Sequence, residues 1–171
     1  MAEMIKTVSE KDILTRGPDC LTAGVISDTH GMLVPEVLQS LMGVDLIIHA
    51  GDIDTPFVLD ELNRIAPTVA VRGNMDRGRW AAHLPETKTI ELGNNLLYIL
   101  HDIYRLDIDP SAAGICMVIH GHTHQPSDEF KQGARFLNPG SASSPRGNAP
   151  LSILKLNITE EMIQPVFVPI K

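Results

Sequence analysis

The sequence predicts an α/β fold with a mostly β second half, and three observations carry that prediction. Two strand–helix–strand units follow one another between Leu21 and Asn74. The strands of those units are short continuous apolar runs, as in strands buried on both faces. After Trp80 the helical spacing stops, and apolar runs separated by Gly, Pro and Asn turns take over. Successive strand–helix–strand units require a parallel sheet with covering helices.

The 171 residues, 43% hydrophobic and 20% charged, suit one domain large enough for a proper core. Residues 1–20 read as a mixed, charged N-terminal extension that ends in the turn signal Arg16-Gly17-Pro18-Asp19, and 21–171 as the domain. LTAGVIS, from Leu21, is the first strand. PEVLQSLMG follows as a helix, with Pro35 in the first turn, Gly43 at its end, and Val34, Val37, Leu38, Leu41 and Met42 on one face. DLIIHAGD is the second strand. TPFVLDELNRIAP is a helix with Thr55 as N-cap and Pro56 at the first position. TVAVRGN is the third strand. KTIELGNNLLYILHD reads as two strands joined at Gly93-Asn94-Asn95, and DIDPSAAGI as a helical turn. CMVIHGH, ARFLNPG, PLSILKLNI and MIQPVFVPI supply further strands.

The early strands stop in polar clusters. These are Ser27-Asp28-Thr29-His30, then His49-Ala50-Gly51-Asp52, then Arg72-Gly73-Asn74-Met75-Asp76. LLYIL runs into His101-Asp102, and CMVI into His120-Gly121-His122-Thr123-His124. Binding sites of parallel α/β sheets lie at the carboxyl ends of strands, so these groups converge on one rim if the strands lie side by side. Carboxylate and amide oxygens with imidazole nitrogens suit divalent Mn, Fe, Zn or similar ions, and the lack of thiolates disfavours a structural zinc finger. Each cluster alone also reads as an ordinary turn or strand end; five in order do not.

Composition removes other classes. A net charge of -7 argues against a basic nucleic-acid groove, but bound divalent cations reverse the sign locally and leave a phosphorylated substrate open. Two cysteines, Cys20 and Cys116, are too few for a disulfide framework and point to a reducing compartment. No secretory leader and no apolar stretch of roughly 18 residues is present. The expectation is a cytoplasmic protein without a membrane partner, with homo-oligomerisation left open.

The ordered set Asp28-Thr29-His30, Gly51-Asp52, Gly73-Asn74, His101 and Gly121-His122-Thr123-His124 resembles the calcineurin-like metallophosphoesterase superfamily. Within it, the small single-domain phosphodiesterases are nearest, and Leu137-Asn138-Pro139-Gly140-Ser141 resembles a late family motif. The resemblance implies a four-layer α/β/β/α sandwich, two packed β-sheets flanked by helices. It implies two divalent metal ions per chain, Mn first, with Fe, Ni, Zn or Mg as alternatives. One ion would take Asp28, His30, Asp52 and His124, the other Asp52, Asn74, His101 and His122, with Asp52 bridging. Gly121 would bend the loop so that His122 and His124 reach different ions.

The implied activity is a metal-dependent phosphodiesterase in which a hydroxide bridging the metals attacks a small phosphoester. Asp52, Asn74 and Asp76 are the catalytic candidates, and Asn74 is also the substrate-binding one. Two dications against two carboxylates would leave a positive surplus that attracts the ester. The alternatives are a phosphomonoesterase on the same site and a non-catalytic binding scaffold of the same fold. A scaffold tends to lose metal histidines, and none is missing. Two positions depart from the family pattern. Met75 stands where many members place a proton-donating histidine, and Asp102 where glycine is common. His49 and His120 read as packing or supporting groups, His83, Arg77 and Arg79 as loop residues, and Trp80 as a packing anchor.

Overall fold

The computed structural model describes residues 21–159 and 162–170, so the extension expected over 1–20 lies outside the described residues. The strand–helix–strand pattern is realised as β1 (Leu21–Ile26), α1 (Pro35–Leu41), β2 (Leu46–His49), α2 (Pro56–Asn63) and β3 (Thr68–Ala70). β1, β2 and β3 run parallel, as strands joined by helical crossovers must. Thr55 caps α2, its side chain accepting from the Phe57 N–H at 3.4 Å, with Pro56 next in line. α1 ends at Leu41, with Gly43 in the left-handed region at φ 80°. Met42, expected on its apolar face, has left the helix at ψ 135° and is 60% exposed.

The second half forms β4 (Thr87–Leu92), β5 (Asn95–Leu100), β6 (Met117–Ile119), β7 (Ser127–Lys131), β8 (Ala134–Asn138), β9 (Leu151–Ile158) and β10 (Ile163–Ile170). β4 and β5 close the expected hairpin, with Gly93 at φ 62°. The strand orders are β10-β9-β1-β2-β3 and β4-β5-β6-β8-β7. β7, SDEFK, was not anticipated: it is an outer edge strand, mostly exposed and charged, without an apolar run to mark it. β10 carries Pro165 and Pro169 and pairs only with β9, the edge position that tolerates proline.

Strand alternation sorts the core into layers. Ala23, Val25, Leu46 and Ile48 meet Leu97, Ile99, Met117, Ile119 and Leu137 between the two sheets. Ile26, Ile47 and Ile153 point the other way, onto Val37 and Leu41 of α1 and Val58 and Leu62 of α2. Tyr98, Leu100, Val118 and Phe136 face outward from the second sheet and are covered by Ile103, Leu106 and Ile108. The expected four-layer order is therefore present, with a thin outer layer on that side, since Ile103–Arg105 is a single 3-10 turn. DIDPSAAGI forms a turn closed by Ala113 N–H to Asp109 O at 3.0 Å.

The carboxyl ends of β1, β2, β3, β5 and β6 fall on one rim. There Gly121 N–H to His101 O at 3.0 Å extends the pairing of β5 and β6 within the second sheet, and Ala142 N–H to Ser27 O at 3.0 Å ties the segment after β8 to the end of β1 in the first.

Candidate metal centre

Six side chains converge on this rim in two groups: Asp28, His30 and His124, then Asp52, His101 and His122. In each group the offered atoms lie within 4.8 Å of one another. All except His101 have left-handed backbone, with φ 54° at Asp28, 45° at His30, 56° at Asp52, 69° at His122 and 60° at His124. Such residues cost about 1–2 kcal/mol each and persist where surrounding structure fixes them.

That fixing is visible. The loops after β1 and β2 are laced by Asp28 N–H to Gly51 O at 3.0 Å and His30 N–H to Asp52 O at 3.1 Å. Ser141 and Ser143 donate their hydroxyls to Asp28 O at 2.8 and 3.1 Å. Asn138, flagged within the late motif, donates to Gly121 O at 2.8 Å and to Thr123 Oγ1 at 3.0 Å. Close approach explains two glycines. A Cβ on Gly73 would lie 2.1 Å from Asp52 Oδ1, and one on Gly121 would lie 1.9 Å from Ser27 Oγ. Gly121 is thus needed for room beside β1, which it gives without a positive φ, while His122 and His124 beyond it fall in different groups.

The first group is a convergence of acceptors. His30 Nδ1 faces Asp54 Oδ2 at 3.2 Å, and His124 Nδ1 faces Ser144 O, so each ring holds its proton on Nδ1. The two Nε2 atoms then confront each other at 3.3 Å as bare lone pairs. Asp28 Oδ1 stands 3.1 Å from His124 Nε2 yet is buried without a hydrogen bond. Three mutually facing acceptors, one of them an orphaned buried carboxylate oxygen, fit a cation. The donor set of one oxygen and two nitrogens agrees with the metals implied by the sequence.

The second group is built the same way. His101 Nδ1–H donates to Ala50 O at 2.8 Å, turning Nε2 toward Asp52 Oδ2 and Asn74 Oδ1, each at 3.2 Å. Asn74 Oδ1 also lies 3.0 Å from His122 Nδ1. Burial pushes the His101 pKa down, but the Asp52 carboxylate outweighs it and raises the pKa. Burial likewise pushes Asp52 up, and the His101 ring with the Met75 N–H reverses this to a net lowering. For Asp28, burial dominates and raises the pKa. His122 N–H donates to Asp28 Oδ2 at 3.1 Å, which ties the two groups together.

The other candidates fall as follows. Asp76 is 6% exposed, and its oxygens accept four backbone N–H groups, those of Asp52, Ile53, Asp54 and Gly73, at 3.1, 2.7, 2.7 and 2.7 Å. Met75 is 43% exposed, and its N–H donates to Asp52 Oδ1 at 2.8 Å. His49 is fully buried: its Nδ1 accepts from Gly51 N–H, its Nε2 meets Thr29 Oγ1 at 3.0 Å, and burial lowers its pKa to about 3. His120 is buried beside Asn138, its pKa pushed down by burial to about 4. His83, Arg77 and Arg79 are exposed, and Trp80 packs beside the helices. Asp54, which holds His30, was not foreseen, although its signal was present in Gly51-Asp52-Ile53-Asp54.

Among the described residues no helix is long and apolar enough to cross a membrane. Residues 21–161 match the model of the calcineurin-like phosphoesterase superfamily domain. A probable metallophosphoesterase of Methanothermobacter thermautotrophicus is 36% identical over 82% of this chain and 87% of its own length. A phosphodiesterase of Methanocaldococcus jannaschii is 27% identical over 68% of this chain and 81% of its own. The crystal structure of a predicted phosphoesterase from Streptococcus pneumoniae superposes with a TM-score of 0.69 at 28% identity, over 88% of this chain and 90% of the other. Family and relatives together support a metal-dependent phosphoesterase.

Proposed function

Because the chain belongs to the calcineurin-like phosphoesterase superfamily, we propose that it is a phosphodiesterase that uses two divalent cations, with residues 21–171 as its domain. The observation that carries this is the pair of facing lone-pair groups, each fixed by hydrogen bonds on the far side of its rings. Asp28, His30 and His124 would hold one cation, and Asn74, His101 and His122 the other, with Asp52 between them. When bound, such ions supply positive charge for the phosphoryl oxygens and lower the pKa of a water to make it a nucleophile near neutral pH. Manganese is carried over from the family resemblance, with Fe, Ni, Zn or Mg as alternatives, and a mixed oxygen and nitrogen set is compatible with it.

The chain's own residues do the rest. Asn74, exposed at the rim with its Oδ1 turned to two imidazoles, leaves its amide N–H groups for a phosphoryl oxygen. Asp76, saturated by backbone donors, positions Asp52 and does not exchange protons with substrate. Met75 cannot donate a proton, so the departing oxygen takes one from solvent. That arrangement favours esters whose leaving group is stable as an anion.

The test is a hydrolysis screen of mono- and diesters with Mn, Fe, Ni, Zn and Mg, alongside metal counting by mass spectrometry. Two ions per chain and faster diester hydrolysis are expected. Asp52→Asn should lower occupancy of both sites and abolish turnover while the fold stays intact, and His124→Ala should weaken chiefly one site. Full two-metal occupancy in Asp52→Asn would overturn the bridging role, and a preference for monoesters would overturn the diesterase reading.

A further inference from the structure

A cleft of roughly 170 Å³ opens directly beside Asn74 and His101. It shares the segments after β3 and β5 with the metal centre and adds Arg72, then Glu86 and Thr87 at the start of β4, and Asp102, Arg105 and Asp107, none of which belongs to the two groups. Glu86 sits between two guanidinium groups. Its Oε1 is 2.5 Å from Arg72 Nη2, and its Oε2 is 3.8 Å from Arg105 Nη2. Arg72 is steadied by its own backbone, whose N–H donates to Pro85 O at 2.8 Å. Asp102 and Asp107 complete the polar lining. Asp102 is the position at which the sequence departs from the family's usual glycine, and its Oδ1 accepts the Tyr104 N–H at 3.0 Å.

The charges decide what such a cleft can take. Two arginines stand against three carboxylates, Glu86, Asp102 and Asp107, and both arginines are already turned to Glu86. A second phosphate or a carboxylate would have to break the Arg72–Glu86 pair and then face Asp102 and Asp107. An alkyl group would desolvate these charges without replacing their hydrogen bonds. Hydroxyl groups suit the lining, because each donates to a carboxylate oxygen and accepts from a guanidinium N–H. At about 30 Å³ per water, the space holds about five or six waters, enough for an alcohol of three to five carbons and too little for a long chain.

Resting on the phosphodiesterase reading, we propose that this cleft is the specificity subsite of the enzyme and takes a polyhydroxy alcohol, of glycerol or pentose type, esterified to the scissile phosphate. Glu86 and Asp102 accept its hydroxyls, and Arg72 donates to them. Glu86 also keeps anionic groups out by occupying the arginines.

The experiment compares four p-nitrophenyl phosphodiesters with one leaving group and different second alcohols: ethyl, glyceryl, choline and 3-phosphoglyceryl. All are assayed on the two-metal protein, and rates are read as ratios of kcat/KM, which are independent of the active fraction. The glyceryl ester should exceed the ethyl ester by at least about tenfold, the worth of one added hydrogen bond to a charged group. Glu86→Ala should lower that ratio and raise the ratio of 3-phosphoglyceryl to ethyl, because Arg72 and Arg105 are released. Equal rates for glyceryl and ethyl esters overturn the subsite and leave the phosphodiesterase reading standing. A wild-type preference for the choline or the 3-phosphoglyceryl ester overturns the polyol assignment, as does a glyceryl preference that survives Glu86→Ala. If none of the four is cleaved with both metals bound, the phosphodiesterase reading itself fails.

Discussion

Replacing Asp76 separates the two roles a buried carboxylate could have here. Oδ1 accepts the N–H groups of Ile53 and Asp54, both at 2.7 Å, and Oδ2 those of Asp52 and Gly73. Asn would keep one oxygen and turn an NH₂ group against two N–H donors, so two charge-assisted bonds are lost. At about 1.5–3 kcal/mol for each, the expected destabilisation is at least about 3 kcal/mol. Total stability of a domain is about 5–15 kcal/mol, and 1 kcal/mol moves the Tm of a domain this size by about 2–4 °C. Asp76→Asn should therefore lower the midpoint by about 6–12 °C. Urea unfolding in the presence of a chelator measures the underlying free-energy loss without any contribution from bound metal. Asp52 and Asp54, at φ 56° and 67°, should relax with it, so hydrolysis falls as well. The refuting result is specific: an unchanged urea midpoint with full metal occupancy and a loss of rate of about 10²–10⁴ would make Asp76 a proton-transfer group.

Three further outcomes follow from the same geometry. Asp54→Ala removes the partner of His30 Nδ1 and should weaken one metal site by about 10–100-fold, whereas Asp54→Asn, which keeps an acceptor, should weaken it less. Metal titration checks this, and an unchanged affinity in the Ala variant would refute it. Met75→His supplies an imidazole beside Asp52 and should raise rates on alkyl diesters more than on p-nitrophenyl diesters at matched metal occupancy. His49, fully buried with a pKa near 3, stays neutral in the fold while the unfolded chain protonates it below about 6.5. The unfolded state then binds more protons, so stability falls as pH drops from about 6.5 toward 3. The stability gap between wild type and His49→Asn should shrink by about 1.4 kcal/mol per pH unit in that window, read from urea midpoints; a constant gap would refute the assignment.

What the sequence made legible has a physical pattern. β1, β2 and β3 were readable because strands covered on both faces must be continuously apolar, and every residue of Leu46–His49 is buried. The ligand candidates were readable because each sits just past such a run. β7 escaped because an edge strand needs no apolar residues, and Met42 was misplaced because helical spacing does not mark the turn at which a helix stops. The role of Asp76 was not readable either. Its four donors are backbone groups, which leave no trace in residue type. The cleft beside Asn74 was hidden for a different reason: Arg72, Glu86 and Arg105 come from three separate segments and look like ordinary surface charge.

The site's strain and its supports are matched in kind. Five left-handed residues cost about 5–10 kcal/mol together, comparable with the stability of a whole domain. Among His30 Nε2, His124 Nε2 and Asp28 Oδ1 nothing offsets that cost, since these atoms face one another as acceptors. Much of the offset comes from the opposite side, where Asp76, Ser141 and Asn138 bind the loop backbone from buried positions and Ser143 from a half-buried one. These bonds do not involve the atoms that would face a cation, so the loops hold their shape by themselves. A zinc finger gathers its ligands only when metal arrives, and its binding free energy is spent on folding. Here the geometry of the candidate groups is set by the same network that closes the two sheets at their rim, so the cation binding proposed above would need little rearrangement. The cluster after β6 shows the division of labour within five residues: His122 and His124 turn outward to the site, while His120 and the room left at Gly121 belong to the support.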